Sequence, residues 1–201
     1  MPRSLANRNM KRQNPMKAKS KTMAKKIPRG IRNNNPLNIR RSRLKWNHEI
    51  FREPMDKCFC QFDEMKYGWR AAFCLLRRYI TVYGANTIEK IIRRWAPSTE
   101  NNTQAYIEMV SKLANKAPDA PIDFLTIEIL QVAAAMCRVE NGEFYYPMKK
   151  WNRTLLLAMC EGLDMCVQDT FSDSQEEAAI KAAIEEINRL YEEKMTLFRS
   201  C

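Results

Sequence analysis

From Phe124 to Val139 the chain leaves almost no polar face, with Ile129, Leu130, Val132, Ala133, Ala134, Ala135, Met136, Cys137 and Val139 crowded into one stretch. The stretch falls short of the roughly 20 apolar residues that cross a bilayer. A helix that is apolar all round must instead be wrapped by other elements. The rest of the chain therefore has to supply neighbours with apolar faces of their own.

It does so with helical periodicity. Between Gly68 and Tyr83, apolar residues at 69, 72, 73, 76, 79, 80 and 83 follow the 3.6 period, and Gly84 closes the segment. Thr87–Trp95 reads as a short helix stopped by Pro97, and Thr103–Asn115 carries Tyr106, Ile107, Val110, Leu113 and Ala114 on one side. Another helix is expected over Met148–Val167. After a linker at Asp169–Ser174 comes a long charged helix, Ser174–Arg199, with Ile180, Ile184, Ile187, Tyr191 and Phe198 on one stripe. Gly30–Asp63, broken by Pro36 and Pro54, reads as irregular, with a short alternating patch at Cys58–Phe62. The expected class is all-α with a small irregular or β insertion. It divides into a basic arm (1–28), a helical domain (29–168), and a linker with a C-terminal helix (169–201).

Charge supports that division. The chain carries +11 overall, yet residues 1–48 hold fifteen Lys or Arg and no acid, which leaves the remainder with 19 basic and 23 acidic residues. The arm has too few bulky apolar side chains to fold alone. It reads either as a solvated tail or as an electrostatic contact for a polyanion. It lacks the interleaved aromatics that stack on bases, so nucleic acid is the weaker of its partners. The amino terminus has no signal-peptide stretch and no run is long enough to span a membrane, so synthesis in the cytoplasm is expected. The seven cysteines are odd in number and fall largely in apolar segments, as buried thiols do. His48 is the only histidine, and Cys58-Phe-Cys60 has the wrong spacing for a zinc knuckle; neither metal nor cofactor is expected.

Asn33-Asn34-Asn35-Pro36 suits neither helix nor strand, because Asn side chains compete for backbone hydrogen bonds and Pro lacks a donor. Such a run uses its amides to build a turn or to contact a polar ligand. Farther on, Glu140 follows the apolar stretch directly. Desolvation and the negative end of the helix dipole both favour its protonated form. A carboxylic acid kept neutral is what glycoside cleavage needs to protonate a leaving oxygen. Glu140-Asn141-Gly142 is equally an ordinary helix end.

Arg29–Ile39, Phe59-Cys60-Gln61-Phe62, Gly68–Tyr83 and Trp95-Ala96 through Tyr106, in that order, resemble phage virion-associated wall-degrading proteins. More distantly, they resemble β-N-acetylglucosaminidases of the lysozyme superfamily. In those relatives the acid, at the end of a hydrophobic helix, precedes the Asn-rich loop. Here no glutamate precedes Asn33, and the helix ending in Glu140 comes last. The chain thus resembles a circularly permuted lysozyme-type domain. One departure stands at Leu37, where related phage sequences tend to have Gly; Asn38 is the neighbour able to take a positive φ.

The resemblance implies cleavage of peptidoglycan glycan strands by a glycosidase or lytic transglycosylase, with Glu140 as general acid and Tyr106 beside it. Asn34, Gln61, Asn101 and Asn102 would bond sugar hydroxyl and acetamido groups, and Trp69 and Trp95 would stack on a pyranose face. Core packing is the competing role for both tryptophans. Glu49, Glu53, Asp56 and Glu100 are the second carboxylates to weigh, each otherwise a surface acid. Against the enzyme stand a virion structural or assembly protein that keeps the fold without activity, and an accessory protein that binds nucleic acid through the arm. The long C-terminal helix either docks on the domain or pairs with another chain.

Overall fold

A computed structural model of the chain describes residues 27–43, 45–99, 102–150, 152–169 and 174–199, with Ser174 and residues 197–199 as backbone only. Residues 1–26 of the basic arm, Glu100, Asn101 and Cys201 lie outside the described residues. Those described form seven α-helices and one 3-10 turn: α1 (Arg29–Arg32), α2 (Met65–Tyr83), α3 (Ile88–Trp95), α4 (Thr103–Ala114), α5 (Ile127–Asn141), the turn Glu143–Tyr145, α6 (Arg153–Gln168) and α7 (Ser174–Arg199). The fold is all-α. In place of a hairpin, the insertion contributes only isolated antiparallel bridges, Arg40 with Phe59 and Glu49 with Phe62.

Local chemistry explains the helix boundaries. Thr87 caps α3 by accepting from the Lys90 amide at 3.2 Å, and Asn102 caps α4 by accepting from the Ala105 amide at 3.1 Å. Gly84 and Asn115 end α2 and α4 with φ of 63° and 52°, the left-handed conformation those residues tolerate. α5 begins three residues later than the apolar pattern suggests. Asp123 accepts from the Leu125 amide at 2.8 Å, a local turn that delays the helix until Thr126 caps it. α6 likewise starts at Arg153 rather than Met148, after a turn in which the Asn152 amide donates to the Tyr146 carbonyl at 2.9 Å.

α5 is the central helix, with eight consecutive-face residues from Ile129 to Cys137 buried. It packs on α4, α7, α1 and the 3-10 turn, while α2 lies against α6. α7 docks on the domain. Its Ile180, Ile187 and Tyr191 are buried, and the Tyr191 hydroxyl donates to the Lys150 carbonyl at 2.6 Å. Four of the described cysteines (60, 137, 160 and 166) are buried, and the Cys74 thiol on α2 meets that of Cys166 on α6 at 3.2 Å. No described helix is long and apolar enough to cross a membrane.

Candidate functional site

The asparagine run builds a turn. Asn33 donates to Asp56 at 3.0 Å, Asn34 to the carbonyls of Phe62 and Asp63 at 3.0 Å each, and Asn35 to the carbonyls of Ile39 and Cys60 at 3.0 and 2.8 Å. Asn35 also accepts from the Ile39 amide at 2.8 Å. Three consecutive amides thus tie residues 29–39 to residues 56–63. The turn needs positive φ at Asn34 (50°) and Asn38 (52°), two residues whose short polar side chains tolerate it. Leu37 escapes that strain and points into the core, fully buried. Gly68 lets α2 press against this turn, because a Cβ there would stand 1.9 Å from the Asn34 carbonyl oxygen.

The last turn of α5 meets the same loop. Asn141 donates to the Pro36 carbonyl at 2.7 Å. Its neighbour Glu140 accepts from the Asn38 amide at 2.8 Å through Oε2 and from the Tyr106 hydroxyl at 2.9 Å through Oε1. Burial pushes the Glu140 carboxyl above the ordinary carboxylate range, and the hydrogen bonds from Asn38, Tyr106 and Trp95 pull it back only in part. Burial, then the charge and acceptance of Glu140, hold the Tyr106 phenol well above its usual value, so it keeps its proton and stays a donor.

An open cleft of about 450 Å³ leads to this carboxyl. Asn38, Arg40, Phe59, Tyr79 and Trp95 line it. Tyr79 and Trp95 meet edge-to-face at 6.0 Å. Among the described residues lining the cleft, Glu140 is the only acid. The hollow combines aromatic faces, a guanidinium and one carboxyl of raised pKa, as sites for polar ligands do.

The other sequence candidates go elsewhere. Trp69 is fully buried in the core, 5.9 Å from Phe73. Gln61 is buried and accepts from the Met55 amide at 3.1 Å. Asn34 spends its amide on the loop, and Asn102 is the exposed cap of α4. Among the described residues of the expected sugar-binding set, only Trp95 lines the cleft. Asp56 is bound up with Asn33, Arg29 and the amides of Cys58 and Phe59; desolvation pushes its carboxyl up, but those partners together hold it below its usual value. Glu49 is buried and accepts from the Trp46 amide at 3.2 Å. Glu53 is exposed, with φ of 48°. His48 stacks on Tyr67 and bonds Asp63 at 2.8 Å, while burial and Glu49 push the Cys60 thiol up to about 12, which disfavours the reactive thiolate. Sequence reasoning did not single out Asn38 within its loop as the partner of the acid, and it missed Arg40, Phe59 and Tyr79 as residues lining the cleft. Tyr79 alone left a signal, an aromatic on the α2 stripe with a hydroxyl that a dry core would have to satisfy.

Over 130 residues the chain is 36% identical to Protein P5 of Pseudoalteromonas phage PM2, covering 62% of this chain and 78% of that one. The chain belongs to the Protein P5 family. No protein-family model matches it. Membership places it among phage-associated proteins, and the P5 name carries no statement of reaction or ligand.

Proposed function

We propose that this chain cleaves the glycan strands of peptidoglycan, with Glu140 as the general acid. The observation that carries the reading is the Glu140 carboxyl itself, half-buried at an open aromatic cleft and held by donors from two other parts of the chain. The upward shift of its pKa favours the protonated form, whose proton a glycosidic oxygen must receive as its bond to the anomeric carbon breaks. The resulting carboxylate then accepts a proton from the incoming nucleophile, either water or a hydroxyl of the same sugar. The first gives hydrolysis and the second transglycosylation. The absence of a second acid among the described cleft residues favours a route in which the substrate's own acetamido group stabilises the oxocarbenium-like centre. Tyr106 and Asn38 orient the carboxyl and stabilise its charged form. The approach of the 33–38 loop to the end of α5 supports kinship with a permuted lysozyme-type domain.

Zymography on purified sacculi tests the proposal. The parent should clear the gel and Glu140→Gln should not, at equal folded concentration. If the variant clears as the parent does, Glu140 is not the acid. Membership of a phage protein family also favours a second reading, a virion structural or assembly protein that keeps the fold without activity. That reading wins if the parent clears no peptidoglycan tested.

A further inference from the structure

Beside the cleft, where α2 ends and α3 runs, lies a second hollow of about 440 Å³ bounded by Tyr83, Gly84, Ala85, Lys90, Arg93 and Arg94. Residues 49–201 are net acidic, yet three cations converge here. Glu89 engages Arg93 at 2.7 Å, which leaves the charges of Lys90 and Arg94 in excess. Arg94 joins the two hollows. Its guanidinium lies 3.7 Å from the centre of the Tyr83 ring and 5.1 Å from that of Tyr79, which lines the glycan cleft. Arg94 also bonds the Tyr83 hydroxyl, which with the aromatic faces fixes its plane; a guanidinium carries five N–H donors, so others remain for a carboxylate.

We propose that this hollow is an anion subsite that takes a carboxylate of the peptide stem borne by a glycan strand in the cleft. The inference rests on the reading of the cleft as a peptidoglycan site and adds what that reading lacks, discrimination between peptide-bearing and bare glycan. A neutral glycan offers Lys90 and Arg94 nothing to pair with. A stem peptide offers carboxylates beside the sugar ring.

The test compares the parent with Lys90→Gln/Arg94→Gln on two substrates, intact sacculi and glycan strands stripped of peptide by an amidase, the lactyl carboxyls so freed being capped as methylamides to leave the strand neutral. Both residues are exposed, so the substitutions spare the core. The variant's KM should rise about tenfold on sacculi, the scale of losing a hydrogen bond to a charged group, and stay within twofold on stripped strands. Unchanged KM on sacculi, or an equal rise on both substrates, overturns the subsite while leaving the cleavage reading intact. If the parent cleaves neither substrate, the cleavage reading fails and calorimetry with a soluble disaccharide-tetrapeptide decides the subsite. Binding by the parent that weakens about tenfold in the variant sustains it, and no binding or equal binding overturns it.

Discussion

Asn38 and Glu140 stand 102 residues apart in sequence, and the amide of the first donates to the carboxylate of the second at 2.8 Å. The bond favours the ionised acid, against a burial that disfavours it. Because Asn38 holds φ of 52°, Asn38→Gly removes the amide without straining the backbone. Loss of a donor to the charged form raises the Glu140 pKa further. Activity that needs the protonated acid should then persist to higher pH, with the alkaline limb of kcat/KM moving up although its maximum falls. A limb that moves down would show that Asn38 does not bond the carboxylate.

Glu140→Gln should separate activity from stability. General-acid catalysis typically supplies about 10²–10⁴-fold, so cleavage should fall by that order. The folded chain holds the Glu140 proton more tightly than the unfolded one, so the parent loses stability as pH rises from the ordinary carboxylate range through the raised value. Glutamine does not titrate. Its amide also finds a partner, since Asn38 Oδ1 is buried without one and a flip of the Asn38 amide presents it. The variant's Tm should therefore exceed the parent's at alkaline pH and converge on it at acid pH, as thermal melts across pH would show.

Gly68→Ala should disturb both fold and site. The added methyl would meet the Asn34 carbonyl oxygen at 1.9 Å and Pro36 Cδ at 3.0 Å, backbone and ring that cannot swing aside. Overpacking of this kind costs on the order of 1–3 kcal/mol, readable in urea unfolding. Because the displaced loop carries Asn38, cleavage should fall more than the stability loss explains. Full activity with parental stability would show that the loop gives freely.

Helices were legible in the sequence because each buries one stripe, and a stripe is a local pattern. The all-round apolar run at 129–137 pointed to the central helix for the same reason. The start of α5 was not legible, since Asp123 makes a turn that costs the helix only its first residues. Glu140 was readable from its place after that run, and its meeting with Tyr106 came through resemblance, not spacing. Asn34 and Asn38 could not be told apart: both take positive φ near 50°, and which amide faces the acid depends on contacts about a hundred residues away. Trp69 and Trp95 sit on equally apolar stretches, and only packing against α6 or the cleft separates them.

Ile187→Ala tests how α7 is held. Ile187 is fully buried, and α7 packs on α5 and α6 with Arg153 donating to Asn188 at 2.9 Å. Truncating a buried isoleucine costs about 2–5 kcal/mol through lost transfer and the cavity left behind. The loss should appear as a lower Tm that does not change with protein concentration, because the partner surface belongs to the same chain. Lys194→Ala, at an exposed position on the same helix, should leave stability within about 0.5 kcal/mol of the parent. A Tm for Ile187→Ala that depends on concentration, together with a changed sedimentation coefficient, would instead mean that α7 packs against another copy.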